Sequence, residues 1–142
     1  MTTANDILEK ARSLVGTPYR HCGRTRDSVD CSGMLLVIAD ELQLPRGEYP
    51  LAYSRWPDGS LEGHIRKDMV EISLTDLRPG SVGLFWMIRR NVPQHVAIFT
   101  ERGSVIHSDI REKRVVEVPY ERFLQRRLMS VFWWKGVDSW QP

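Results

Sequence analysis

The chain has 142 residues, 42% of them hydrophobic and 27% charged, with a formal net charge of +2. That length and mix predict one globular domain over 1–142 and exclude a charge-dominated disordered chain. So small a net charge gives no reason to expect nucleic acid as a partner. No apolar run approaches the ~20 residues needed to cross a bilayer, so no membrane insertion is expected. Two cysteines, Cys22 and Cys31, do not make a disulfide framework.

From the N-terminus, Ile7, Leu8, Ala11, Leu14 and Val15 recur at helical spacing and predict a helix over Thr3–Val15, ended by Gly16. Thr17–Val29 reads as a loop, and a second helix is expected from Cys31 to Leu42 with Met34, Leu35, Val37 and Ile38 on its buried stripe. The stretch 45–63, rich in Pro, Gly and aromatics, reads as a long irregular excursion, a kind of loop that is usually functional or disordered. The period then changes. Strands are expected at Met69–Ile72, Val82–Met87, His95–Thr100, Gly103–Ser108, Val115–Val118 and Met129–Trp134, with a short helix over Glu121–Gln125. Helices first and strands second predict an α+β fold, helices packed on an antiparallel sheet.

Cys31 stands where a polar cluster runs into the second helix. Exposed N–H groups and the macrodipole at a helix start favour a negative charge, so a lowered thiol pKa and a thiolate near neutral pH are expected. Asp30 or Ser32 can cap the same turn, and Gly33 leaves room for another backbone or a substrate. A small buried cysteine at a helix start explains the motif equally well.

A nucleophilic cysteine needs a base, and the base needs an orienting group. Of the four histidines, His95 and His107 fall in strand-like runs joined by a short link containing Gly103, while His21 and His64 do not. A three-residue loop, Thr100–Arg102, closed by Gly103 in the left-handed conformation, sets His95 directly opposite His107 on one face of the sheet. Cross-strand neighbours are ~5 Å apart at Cβ, so one imidazole can orient the other. Cys31, His95 and His107 are also three potential zinc ligands. No Cys-x-x-Cys or His-x-x-x-His pair anchors them and no fourth ligand is evident, so neither metal nor other cofactor is expected.

Five motifs now stand in order: GTPYRHCG, DCSGML, LRPGSVGLFW, HVAIFT and VIHSD. Together they resemble the NlpC/p60 family of cysteine peptidases, which cleave peptidoglycan stem peptides, over about Ile7 to Lys135. The resemblance implies a papain-like fold, Cys31 as nucleophile, His95 as general base and His107 as the orienting residue. It implies that Tyr19, twelve residues before the cysteine, lends its hydroxyl to the oxyanion or substrate carbonyl. Ser32 is placed with it as an oxyanion or substrate contact, and His21 and Cys22 as residues lining the pocket. Cys22 stands where the family often has Gly, His21 where it often has Trp, and Ser81 where it usually has Asp. Cys22 could also pair with Cys31 under oxidation.

The implied bond joins γ-D-glutamyl to a diamino acid. That substrate is anionic, which suits the basic groups Arg89-Arg90, Arg111 to Arg114 and Arg126-Arg127, otherwise read as solvated surface. The N-terminus carries charges where a secretory signal would be apolar. Cytoplasmic synthesis, followed by action at the wall through a phage tail, a gene-transfer particle or a secretion system, is therefore the expected setting, with a cytoplasmic recycling role as the alternative. Phage tail or secretion-system proteins are the expected partners besides stem peptides. Two rivals remain: an amidase or transacylase on the same residues, and a non-catalytic tail or secretion component. The acyltransferase relatives place the histidine before the cysteine, the reverse of the order here.

Overall fold

The fold is described from a computed structural model over residues 1–138. Thr3 caps the first helix, α1 (Ala4–Ser13), in a capping box with Asp6. Leu14 closes α1, and Gly16 turns away at φ 94°, so Val15 falls outside the helix. The predicted loop that follows carries a minimal hairpin, β1 (Arg24–Thr25) and β2 (Ser28–Val29). The second helix, α2 (Cys31–Glu41), begins at Asp30, whose Oδ1 accepts the Gly33 N–H at 2.7 Å. A Cβ at Gly33 would sit 1.8 Å from the carbonyl oxygen of Gly23, so the room that glycine leaves is filled by the β1 side of the hairpin.

The stretch expected to be irregular through Gly63 is irregular only to Gly59. A helix, α3 (Ser60–Asp68), follows. It buries one residue, Ile65, and holds Gly63 in its interior, so it carries almost no apolar stripe for periodicity to detect.

The strands are β3 (Met69–Ile72), β4 (Val82–Trp86), β5 (Pro93–Phe99), β6 (Ser104–Asp109), β7 (Arg114–Pro119) and β8 (Leu128–Trp134), with α4 (Arg122–Gln125) before the last. They form one antiparallel sheet in the order β3-β8-β4-β5-β6-β7. Alternation divides the core. Leu84, Val96, Ile98 and Ile106 face Ile7, Leu14, Met34 and Ile38 of the two long helices, whereas Phe85, Ala97, Phe99 and Val105 pack with Leu124. Each fully buried side chain of this kind contributes roughly 1.5–3 kcal/mol. The outcome is the expected α+β arrangement, with the start of α2 held against the sheet.

The β5–β6 register differs from the expected one. Ladder pairs are Ile98↔Ile106 and Phe99↔Val105, with Glu101–Gly103 as the turn and Gly103 left-handed at φ 68°. The expected register would have paired Ile98 with Ser104. The loop begins one residue later because the Thr100 N–H donates to the Ser104 carbonyl at 3.0 Å and the two hydroxyls lie 2.5 Å apart. A slip of two residues keeps every side chain on its face, so His107 stands diagonal to His95 on the same side of the sheet.

Candidate active site

The β5–β6 ladder extends only to Ile98, and beyond it the segment 29–31 contacts both strands. The Val29 carbonyl accepts the Ser108 hydroxyl of β6 at 2.7 Å, and Cys31 Sγ lies 3.8 Å from the Gln94 carbonyl oxygen of β5. Cys31 thus opens its helix beside the residue preceding His95. Across the opening, His95 Nε2 and His107 Nδ1 are 2.7 Å apart, their rings edge-on at 75°. One of those nitrogens donates and the other accepts. Two ring nitrogens sharing a proton at 2.7 Å are closer than a tetrahedral zinc would hold them, roughly 3.4 Å apart given Zn–N of ~2.0–2.1 Å.

The thiolate expected at the helix start is not what these surroundings favour. Burial, with the neighbouring Asp30 charge, pushes the Cys31 thiol up to about 12, against the opposing pull of the N–H groups of Val96, Ser32 and Cys31 itself. Burial also holds His95 well below its ordinary value, with further lowering by His107 and Arg111. Burial thus biases each group toward its uncharged form. The helix start supplies the favourable amides that the sequence implies, but desolvation outweighs them.

A cleft of about 420 Å³ contains Cys31, His95, His107 and Tyr19 in its walls. Tyr19 is tied down through its backbone, its N–H donating to Lys113 O at 2.9 Å. Burial first, with the neighbouring Asp30 charge, raises its hydroxyl to about 12, so it is a proton donor at neutral pH. Ser32 also lines the cleft, but its hydroxyl is engaged by Asp30 Oδ1 at 3.3 Å and the Tyr53 hydroxyl at 3.2 Å. His21 lines the cleft, but Cys22, expected beside it, does not: its backbone, left-handed at φ 64°, is held by Asp30 Oδ2. Both cysteines are free thiols.

Periodicity did not find the other wall. Tyr49, Tyr53, Arg55 and Trp56, all within the irregular stretch, line the cleft. Tyr53 donates to Asp30 Oδ2, which also accepts the Cys22 N–H at 2.9 Å, and the Tyr53 carbonyl oxygen is 2.7 Å from His21 Nε2. Tyr49 stacks on His64 with ring centroids 4.3 Å apart. The two histidines outside the hairpin therefore hold this wall in place. His21, Cys22 and Asp30 bring one ligand atom each within 4.8 Å of one another. The Asp30 carboxylate is already shared among Gly33, Cys22, Ser32 and Tyr53, so the cluster works as a clasp between the α2 start and the aromatic wall. The aromatic run EYPLAYSRWP was the one sequence signal for that wall.

The NlpC/P60 family profile matches residues 16–133. This chain belongs to the NlpC/P60 family. It is 28% identical over 144 aligned residues to the probable endopeptidase NlpC of Escherichia coli (strain K12), covering 99% of this chain and 77% of that protein. Among solved structures it resembles an NlpC/P60 family protein from Bacillus cereus, with a TM-score of 0.74 and 21% identity, over 93% of this chain and 40% of that one. It also resembles the NlpC/p60 domain of the peptidoglycan hydrolase SagA, with a TM-score of 0.63 and 22% identity, over 92% and 98% of the two chains. At such identities the structural likenesses speak for the fold. The chain spans well under half of the Bacillus cereus protein.

Proposed function

We propose that this chain is a cysteine endopeptidase that hydrolyses peptide bonds in peptidoglycan stem peptides, at the bond between γ-D-glutamyl and a diamino acid. The observation that carries the proposal is Cys31 at a helix start against β5, with His95 held 2.7 Å from His107 in the same cleft. The E. coli relative is named as a probable endopeptidase and the SagA domain as part of a peptidoglycan hydrolase, which supports the same reaction class. Arg55 and Arg111 line the cleft, which suits a carboxylate-bearing peptide.

His95 takes the thiol proton as the sulfur attacks the substrate carbonyl carbon. Because burial biases both groups toward the uncharged form, that transfer accompanies attack. The Tyr19 hydroxyl and the Cys31 N–H serve as donors to the developing oxyanion. His95 then returns the proton to the leaving amine, the thioester remains on Cys31, and water activated by His95 releases the acid. Protein and substrate charge balance at each step, with water as the one co-reactant.

The test is digestion of purified muropeptides followed by mass spectrometry of the products. Cleavage after γ-D-glutamate supports the proposal. A cut between sugar and peptide would make the chain an amidase, and intact substrate with folded protein would make it a binding module.

A further inference from the structure

One nitrogen of the histidine pair has no assigned partner. His107 Nδ1 faces His95, but His107 Nε2 is buried with no hydrogen-bond partner among the described residues, on a side chain only 3% exposed. Leaving such an atom unpaired is unfavourable, so a partner close by is expected. Asp109 Oδ2 lies 3.9 Å from it, and Asp109 is itself only 9% exposed. Asp109 is two residues further along β6, on the same face. Its other oxygen, Oδ1, accepts the Arg111 backbone N–H at 2.9 Å and lies 3.6 Å from Arg111 Nε, so the turn after β6 fixes the carboxylate.

We propose that Asp109 is a positioning residue that accepts the His107 Nε2–H, directly or through one water, and thereby sets the tautomers of both histidines. The inference rests on the peptidase reading above. A carboxylate only accepts, so the proton must sit on His107 Nε2. Nδ1 of that ring is then bare and accepts the Nε2–H of His95. His95 is left with a bare Nδ1, the state in which it can take the thiol proton. Without Asp109 the series can invert: His107 donates from Nδ1, His95 accepts at Nε2, and His95 Nδ1 carries a hydrogen that makes it useless as a base. During attack the proton moves from Cys31 Sγ to His95 Nδ1 and goes no further. The Asp109 carboxylate takes no proton in the step and steadies the imidazolium.

The groups that act on His107 are few. His95 faces it from β5, Asp109 and Arg111 from the end of β6, and Cys31 and Tyr19 share the cleft, while its ladder partner on β7 is the apolar Val116. Burial lowers the His107 pKa, Asp109 raises it and Arg111 lowers it. Removing the Asp109 charge therefore lowers the His107 pKa further, and with it the readiness of the linked pair to hold a proton.

The test compares Asp109→Ala and Asp109→Asn with wild type in the full chain, by muropeptide kinetics and by ¹⁵N NMR of the histidine rings. Asp109→Ala should lose on the order of 10²-fold in kcat with KM nearly unchanged. Asp109→Asn, which keeps an acceptor oxygen, should recover part of that loss. In both, the acidic limb of the kcat/KM profile should move to lower pH. Wild type should show His95 and His107 as Nε2–H tautomers, and Asp109→Ala should convert His107 to Nδ1–H. Unchanged tautomers and an unmoved acidic limb would overturn the proposal even if activity fell. If Asp109→Ala does not fold, the near-isosteric Asp109→Asn carries the pH test. If wild type cleaves no muropeptide the peptidase reading fails, while the ring spectra still decide the role of Asp109.

Discussion

The two ends of the β5–β6 hairpin are built on opposite principles. At the turn, Arg12 of α1 pairs with Glu101 and, at 3.2 Å, with Glu117, and the Ser104 hydroxyl donates to Glu117 at 2.7 Å. The ladder there is closed and its polar groups are partnered near solvent. At the other end the ladder stops, the 29–31 segment takes its place, and a buried His107, with one ring nitrogen unpaired among the described residues, lies beside a half-buried His95. The closed end fixes the register. The open end uses that register to hold polar groups in surroundings that would be unfavourable for stability alone. The difference is what locates the chemistry: where the strands part, burial raises the cysteine and lowers the two histidines.

The contrast breaks most sharply at Cys31. Cys31→Ala should lose at least about 10³-fold in muropeptide cleavage, with circular dichroism unchanged, because a small residue at a helix end is removed without opening a large cavity. His107→Ala comes next, at roughly 10²-fold, and His107→Asn should restore part of the rate by keeping a hydrogen-bonding group beside His95. Equal rates for His107→Ala and wild type would remove His107 from the site.

The resting charge state gives a third, smaller effect. A thiol pKa raised by burial means the reactive thiolate is gained only as pH rises through that raised value. In the free protein, iodoacetamide should therefore label Cys31 slowly at neutral pH, with the rate climbing only above the ~8.5 of an ordinary thiol. A rate already at plateau by pH 7 would show an ion pair instead.

The smallest effect is at the closed end. Arg12→Ala should leave the cleavage rate intact and lower stability by about 0.5–1 kcal/mol, as expected for a partly exposed pair. Arg12 holds the Glu101 and Glu117 carboxyls below their ordinary range. Their contribution is therefore present above the unfolded value of ~4.3 and lost as pH falls through the lower folded values. Denaturant melts of wild type and variant should converge in acid. An activity loss in Arg12→Ala as large as in His107→Ala would mean that the two ends are not separable.

What the sequence made legible follows from what repeats. Alternation in HVAIFT and SVIHSD gave the strands and the common face of the histidines, and a helical stripe gave α1 and α2. The exact pairing did not follow, because it turns on a hydroxyl pair, Thr100 with Ser104, that pattern does not encode. The aromatic wall and α3 were missed for a related reason. Tyr49 and Tyr53 are held by His64, Asp30 and His21, contacts made across the fold rather than along the chain. The opposing effect on the thiol was not legible, because a helix start is visible in a sequence and desolvation is not.

The most direct test of the reaction centre is to trap the acyl-enzyme. Wild type mixed with muropeptide, quenched in acid and mapped by mass spectrometry should carry the γ-glutamyl fragment as a thioester on Cys31, with Cys22 unmodified. Turnover with no adduct on Cys31, together with undiminished cleavage by Cys31→Ala, would contradict the account.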